Sequence, residues 1–282
     1  VESLVKSLRS DITESDKTLP FPSNNAEALF DTFFKTGDFD GIQRVYLHPA
    51  SHLTHLPINV LRSSRWNRDS YLGLRLEINL LPTLHRFGKA EKNSEPDSYL
   101  GVGNPNFQET AKLAFSESSS FSIRSAALAS DIYELSPLPD TEQEIKASAL
   151  NFQNGSKLTL LKEKATELNF RMIDLEKFDI LHFATHGLVS GEFNSSNLKL
   201  PSLALGLEPK SKSSLTDGLL TSTEIAELQL NGQVVILSAC RTFSDEGAYN
   251  PGFTGLTASF LFAGAKSILA THLVPLPQAS AL

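Results

Sequence analysis

The sequence predicts a mixed α/β fold in which helices cover both faces of a mostly parallel sheet. Apolar runs with the length of buried strands alternate with segments that have the apolar spacing of helices, most regularly after residue 130. Hydrophobic residues make up 40% of the 282 residues and charged residues 20%, so the chain can bury a sizeable core. The longest apolar runs are far shorter than the roughly 18 residues that a membrane span needs, so no membrane partner is expected.

The first 125 residues are predicted to hold a polar tail and a small α/β unit. Residues 1–37 are interpreted as a linker or the tail of an upstream region, although apolar residues at helical spacing predict a helix over 24–34. The smaller unit is placed at 38–125, with a strand over 41–47 and a short buried strand over 99–103. We expect this unit to be related to the larger one that follows it.

Strands and helices alternate clearly in the larger unit, which is placed at 130–282. Capping patterns with the required spacing of three residues predict the starts of two of its helices. In the first, Asp140 precedes Gln143 and Thr141 precedes Glu144; in the second, Thr221 precedes Glu224. The predicted elements, in order, are a helix to about 152, a strand over 158–161, a helix over 166–173, a strand over 178–184, a helix over 221–228, a strand over 233–238, a helix over 255–262 and a strand over 266–271.

Charge and cysteine content exclude several classes of protein. Lys and Arg total 25 against 32 Asp and Glu, and this net charge of −7 argues against a nucleic-acid binder. The single cysteine excludes an internal disulfide framework and a cysteine-rich zinc site, and it favours a reducing, cytoplasmic compartment. Because Pro49 interrupts the spacing of His48, His52 and His55, no metal site is predicted there, and no cofactor is expected. The chain starts at Val1 without a basic-then-apolar leader, so we expect a piece of a longer polypeptide.

A histidine and the single cysteine follow two of the predicted buried strands. His186, followed by Gly187, is the second residue after the strand over 178–184, and Cys240 is the second residue after the strand over 233–238. Sites in open parallel sheets form just beyond the carboxyl ends of the strands, so neighbouring strands would bring the imidazole and the thiol to one cleft. A nearby imidazolium lowers the pKa of a thiol and thereby populates the nucleophilic thiolate. The N–H groups of Gly187 and Cys240 could form an oxyanion hole for acyl transfer.

Structural roles for the same residues remain open from spacing alone. A lone buried cysteine often serves as a small hydrophobic side chain, and a histidine after a strand often has a structural role. His182, inside the strand, points to the opposite face from Phe183, and we predict a structural, hydrogen-bonded role for it.

Three motifs, taken together, resemble the CHAT peptidase family. They are Leu-His-Phe-Ala-Thr-His-Gly at 181–187, Asp-Gly-Leu-Leu-Thr at 217–221 followed by Glu224-Ile225, and Val-Ile-Leu-Ser-Ala-Cys at 235–240. Weaker matches extend the resemblance over roughly residues 40–275. This family contains caspase-like domains that are related to separase and the caspases and often lie behind tetratricopeptide repeats. The resemblance implies a caspase-like sheet, with the catalytic unit at 130–282 and a pseudo-caspase-like unit before it.

What the resemblance implies about function is a cysteine endopeptidase. Cys240 would attack the peptide carbonyl, His186 would handle the protons, and the N–H groups of Gly187 and Cys240 would hold the oxyanion. The enzyme would be of bacterial type, would cleave a protein substrate, and would be regulated by a partner protein or by upstream tetratricopeptide repeats. The alternative is a catalytically silent caspase-like scaffold, although the presence of both His186 and Cys240 counts against it.

The stretch 271–277 departs from the family pattern. Many relatives carry a tryptophan and an acidic residue there, and in separase-like relatives the acid helps to recognise a basic residue before the scissile bond. This chain has neither, and it offers the apolar side chains of Leu273, Val274 and Leu276 instead. Because a buried cation needs a carboxylate partner, the sequence predicts a preference for an apolar residue before the scissile bond.

Overall fold

The structure is a computed structural model in which the described residues form two compact units, 1–81 and 96–270. Among the described residues, no helix is long and apolar enough to cross a membrane. The described residues are 1–14, 23–34, 39, 41–48, 53, 56–66, 71–81, 96–108, 128, 130–153, 155–188, 199–207, 216–238 and 255–270.

The smaller unit packs helices against a two-stranded parallel sheet. The segment 2–14, interpreted from the sequence as part of a polar tail, is instead a helix. Its residues Val5 and Leu8 lie on one apolar face and are buried in a cluster with Leu29, whereas Lys6 and Ser7 are exposed. The elements are α1 (Glu2–Glu14), α2 (Ser23–Phe34), β1 (Arg44–Leu47), a 3-10 turn (Ile58–Val60), α3 (Leu72–Arg75) and β2 (Glu77–Leu80).

The larger unit contains a five-stranded parallel sheet and a small antiparallel sheet. Its elements are β3 (Tyr99–Pro105), α4 (Pro139–Ala149), β4 (Lys157–Lys162), α5 (Glu167–Arg171), a 3-10 turn (Leu175–Lys177), β5 (Ile180–Ala184), β6 (Gly187–Leu188), β7 (Ser202–Ala204), β8 (Leu219–Thr221), α6 (Ser222–Ala226), β9 (Val234–Leu237), α7 (Leu256–Ala263) and β10 (Ser267–Ala270). The parallel sheet has the strand order β10–β9–β5–β3–β4, and the antiparallel sheet has the order β6–β7–β8.

Strand β3 lies inside the parallel sheet of the larger unit, between β4 and β5. The sequence analysis assigned this strand to the smaller unit and placed the boundary at 125–130, whereas the structure divides between the described residues 81 and 96. Tyr99, Leu100 and Val102 are all fully buried, as expected for a strand that is covered on both faces. Their pairing partners lie at least 55 residues further along the chain, so local sequence patterns do not reveal them.

Helices cover both faces of the parallel sheet. On one face, α4 approaches β3 so closely that a Cβ at Gly101 would lie 2.6 Å from Cγ2 of Ile145. On the other face, α5 and α7 bury Phe170 and Phe260 against Phe183 of β5. The predicted fold class, a mostly parallel sheet flanked by helices on both faces, is therefore confirmed.

The structure confirms one of the two predicted N-terminal helix caps and lacks the other. Helix α6 begins with the predicted capping box, in which Thr221 and Glu224 bond each other's backbone N–H. Helix α4 instead begins one residue before Asp140, at Pro139, and has no side-chain cap. Thr141 contributes differently, because its hydroxyl donates to Leu138 O (2.8 Å) and accepts from Asn104 N–H at the end of β3 (2.8 Å).

Candidate active site

The strands that precede His186 and Cys240 are neighbours. β5 and β9 pair in parallel, with Phe183 opposite Leu237. Just beyond β9, Ser238 N–H donates to Phe183 O over 2.8 Å. The order of the sheet also reverses at β3 and β5, since the chain adds β4 on one side of β3 and β5 on the other, and such switch points are where open α/β sheets form crevices. His186 therefore follows a central strand at the edge of the sheet where such a crevice forms.

The His186 ring is held from two sides. Its Nε2 lies 2.8 Å from Ser136 O, in the segment that leads into α4, and its ring centroid lies 5.6 Å from that of the buried Phe107. A carbonyl oxygen only accepts hydrogen bonds, so Nε2 carries the proton. In the neutral ring Nδ1 is then an acceptor, and it has no partner among the residues that the structure describes. The ring is thus oriented, with one nitrogen able to take a proton.

The backbone around His186 is bonded to β7. Ala204 N–H donates to His186 O (2.9 Å), and the buried Thr185 hydroxyl donates to Ala204 O (2.6 Å). Gly187 pairs with Leu203 in the antiparallel ladder. Because hydrogen-bonded and non-hydrogen-bonded pairs alternate in such a ladder, the Gly187 N–H points away from β7. The expected role of this N–H as an oxyanion donor stays a prediction.

His182 has the structural role predicted for it. Its side chain is 3% exposed on the face covered by α4, where Nδ1 lies 2.8 Å from the Tyr99 hydroxyl and Nε2 lies 3.1 Å from Oε1 of Glu144. The carboxylate accepts from Nε2–H, so Nδ1 accepts from the Tyr99 hydroxyl. Burial raises the pKa of Tyr99 well above its usual range, which keeps this hydroxyl protonated.

Sequence reasoning missed a buried carboxylate, Glu167, at the start of α5. Its side chain is 1% exposed, and its oxygens accept from the Gly218 N–H (2.9 Å) and from Arg171 Nε (2.8 Å). Arg171 also bridges to Glu224 over 2.8 Å. Burial raises the pKa of Glu167 to about 8, against the opposing effect of Arg171. Two signals could have revealed this carboxylate: the match of residues 165–167 to the family pattern, and the spacing of four residues between Glu167 and Arg171.

The remaining predicted site residues lie outside the described residues. These are Cys240, whose N–H was the second expected oxyanion donor, and the expected pocket residues Leu273, Val274 and Leu276. Within the described residues, no group of three or more His, Cys, Asp and Glu side chains could hold a metal ion.

Comparison with known proteins assigns the family. The family model of the CHAT domain matches residues 23–280, which is most of the chain. A search among curated proteins found no match. The matched range includes the whole parallel sheet and both strand ends described above. The chain therefore belongs to the CHAT domain family, a family of caspase-like, peptidase-related domains.

Proposed function

We propose that this domain is a cysteine endopeptidase that cleaves a protein substrate with a dyad of Cys240 and His186. One observation carries the proposal. The bond from Nε2–H of His186 to Ser136 O leaves Nδ1 as the acceptor, at the edge of the sheet where β9 runs beside β5. A base for a thiol must be a neutral imidazole nitrogen that is oriented by a bond at the other nitrogen, and His186 meets this requirement.

The chain connection supports the proposed partner. Cys240 follows Ser238 by two residues, a span of at most about 7 Å along the chain. Ser238 is bonded to Phe183 of β5, and His186 follows Phe183 by three residues. The cysteine and the histidine therefore leave adjacent strands at the same edge of the sheet.

The reaction that we propose uses these groups in order. The thiol proton moves to Nδ1 of His186, the sulfur of Cys240 bonds to the carbonyl carbon, and the Gly187 and Cys240 N–H groups receive the oxyanion. When the intermediate collapses, the C–N bond breaks and the leaving amine takes the proton from Nδ1. A water molecule then gives a proton to Nδ1 as its oxygen attacks the thioester. The S–C bond breaks to release the acid, and the proton on Nδ1 passes to the sulfur, which restores the thiol and the neutral ring.

Alkylation with iodoacetamide tests the dyad, because the chain has one cysteine and labelling reports that residue alone. A free thiol has a pKa of about 8.5, and thiolate paired with imidazolium is alkylated well below that pH. We expect His186→Ala to shift the pH profile of the alkylation rate towards that of a free thiol, with a rate loss of about tenfold per pKa unit near neutral pH. The matched control is His48→Ala, since Nδ1 of His48 lies 2.8 Å from Leu81 O within the smaller unit.

The result of this assay separates the two candidate functions. A wild-type profile equal to that of a free thiol, unchanged in His186→Ala, would indicate the catalytically silent scaffold. Cleavage of a peptide library supplies the second measurement, in which Cys240→Ala and His186→Ala each abolish activity. Because the two residues act as a unit, the double variant is expected to be no worse than either single one.

The proposal also covers the substrate specificity of the peptidase and its regulation. Leu273, Val274 and Leu276 offer apolar surface where separase-like relatives have an acid, so we propose that the substrate carries an apolar residue before the scissile bond. Burial of such a side chain contributes about 1.5–3 kcal/mol. Regulation by a protein partner or by upstream repeats belongs to the same proposal. A dominant preference for Arg or Lys in the peptide library would contradict the apolar pocket.

A further inference from the structure

A polar network built on the buried side chain of Glu167 ties helix α5 to the small antiparallel sheet. We name this network, formed by Glu167, Arg171 and Glu224, the Glu167 clamp. Arg171 Nη2 lies 2.7 Å from Glu167 Oε1 and 2.8 Å from Glu224 Oε1. The other oxygen of Glu224 accepts from the Thr221 N–H (2.8 Å) and hydroxyl (2.6 Å) at the end of β8. The clamp thus holds the C-terminal end of β8 through Glu224.

Glu167 holds the other end of β8 through Gly218. Gly218 has a φ of +88°, and a Cβ there would lie 3.0 Å from side-chain carbons of Ile132 and Leu207, so only glycine fits without displacing them. Its N–H donates to Glu167 Oε2 (2.9 Å), and its carbonyl accepts from Leu205 N–H (2.7 Å). One backbone unit therefore connects the buried carboxylate to the residue that follows β7.

Strand β7 in turn holds the backbone of His186. Leu205 is next to Ala204, whose N–H donates to His186 O and whose carbonyl accepts from the Thr185 hydroxyl. The connection from the Glu167 carboxylate to His186 therefore runs through Gly218, Leu205 and Ala204.

The start of α5 adds a second attachment to the segment after β7. Gly206 N–H donates to Ala165 O (2.8 Å), and Glu167 N–H donates to Gly206 O (3.3 Å). Strands β6, β7 and β8 are two or three residues long, and ladders this short are weak without support from the surrounding structure. The Glu167 clamp supplies that support through its bonds to Gly218 and, by way of Arg171 and Glu224, to Thr221.

We propose that Glu167 is a positioning residue for His186 and Gly187, which it holds in place through β8 and β7. This inference rests on the proposed function, because it assigns to Glu167 the placement of the base and of one oxyanion donor. Glu167 itself touches neither the cysteine nor the substrate in this role. Its contribution is the fixed geometry of the backbone over 185–187.

The experiment compares four proteins by the pH profile of iodoacetamide alkylation: the wild type, Glu167→Gln, His186→Ala and the control Glu176→Gln. Glu167→Gln keeps the size of the side chain but leaves one accepting oxygen in place of two, so it cannot accept from both Gly218 and Arg171. Glu176 is an exposed glutamate on the turn Leu175–Lys177. We expect Glu167→Gln to shift the profile in the same direction as His186→Ala, with a rate loss of at least about threefold at neutral pH, and Glu176→Gln to leave it unchanged.

Amide hydrogen exchange provides a second readout that a merely stabilising role would not move selectively. In Glu167→Gln, the amides of Ala204, Leu205 and Gly218 should exchange faster, while those of β3 and β4 keep wild-type protection. If Glu167→Gln does not fold, Arg171→Lys replaces it, since a lysine has no second nitrogen with which to reach Glu224 while it donates to Glu167.

The outcomes distinguish this inference from the proposed function. A folded Glu167→Gln protein with wild-type alkylation and wild-type exchange would overturn the positioning role, even if His186→Ala behaves as expected. An unchanged profile in His186→Ala would instead overturn the dyad. In that case faster exchange confined to β7 and β8 would still show that the clamp holds these strands, but the catalytic meaning given to it here would be wrong.

Discussion

His182 lies inside β5 and His186 lies just beyond it, four residues further along the chain. The hydrogen-bond partners of the two rings are different. His182 has side-chain partners at both ring nitrogens, Tyr99 and Glu144, and is sealed under α4. His186 has one bonded nitrogen, and its partner is a backbone carbonyl. Within the described residues, its second nitrogen has no partner.

This difference separates a structural histidine from a candidate base. When both nitrogens of a buried histidine ring are hydrogen-bonded, the ring cannot transfer its proton without breaking one of these bonds. Breaking it would destabilise the core. A ring fixed at one nitrogen keeps its orientation and offers the other nitrogen for proton transfer. Strand β5 thus places His182 in the core, and His186 follows at the edge of the sheet where this strand ends.

The largest effect that this comparison predicts is a loss of stability of the folded protein. His182→Ala removes one hydrogen-bond partner of the buried Tyr99 hydroxyl and the partner of Oε1 of Glu144, whose Oε2 has no hydrogen bond within the described part of the chain. We expect the free energy of unfolding to fall by about 3–5 kcal/mol in His182→Ala. Urea denaturation followed by circular dichroism measures it.

The matched variant for this measurement is His186→Ala. His186 is only half-buried and loses one bond to a backbone carbonyl, so its removal should cost about 1 kcal/mol or less. Equal losses of stability in the two variants would contradict the claim that His182 stabilises the fold far more than His186 does.

The second effect concerns pH and the Glu167 clamp. The pKa of Glu167 is raised from 4.5 to about 8, so the folded protein keeps a proton that the unfolded chain releases. This contribution to stability is fully present below pH 4.5 and is lost as the pH rises through 8. Between pH 5 and pH 8 the free energy of unfolding should fall by about 3 kcal/mol through this group, and Glu167→Gln should flatten that slope.

Glu142 offers the control for the pH measurement, because its shift has the opposite direction. Hydrogen bonds from Lys146, Asn104 and Lys162 lower the pKa of Glu142 to about 2, so its contribution is present above pH 4.5 and is lost as the pH falls through 2. Glu142→Gln should therefore leave the slope between pH 5 and pH 8 as in the wild type. If Glu167→Gln also leaves that slope unchanged, burial of Glu167 is not its cause.

The smallest of the three effects concerns the bond that holds the backbone next to His186. Thr185→Val keeps the shape of the side chain but removes the hydroxyl that donates to Ala204 O, so stability should fall by about 1–2 kcal/mol. Thr185→Ser keeps the hydroxyl and should lose less. Thermal unfolding of both variants measures the difference, and a valine variant as stable as the serine variant would contradict the role of this bond.

The local sequence pattern was sufficient to predict the features that depend on residues close together in the chain. The buried runs of β5 and β9, the capping box of Thr221 and the side of the sheet to which His182 points all depend on near neighbours in the sequence. The helix α1 was missed because its apolar face is narrow and its other residues are polar. The place of β3 and the burial of Glu167 were missed because both depend on partners that lie far along the chain, at β5 and at Gly218.

The pairing of β3 with β5 also sets the order in which the larger unit can assemble. At the N-terminal ends of these strands, Oδ2 of Asp179 accepts from the N–H groups of Asp97 and Ser98 and from the Ser98 hydroxyl, across 81 residues of sequence between Asp179 and Ser98. Contacts of such long range form slowly, because the entropy of closing the loop is lost before the contact stabilises anything. On the ribosome, the central strands cannot pair until β5 has emerged, and β9 joins them only about fifty residues later. The histidine is thus synthesised well before its proposed cysteine partner, and the nascent chain is expected to stay inert until most of the domain has been made.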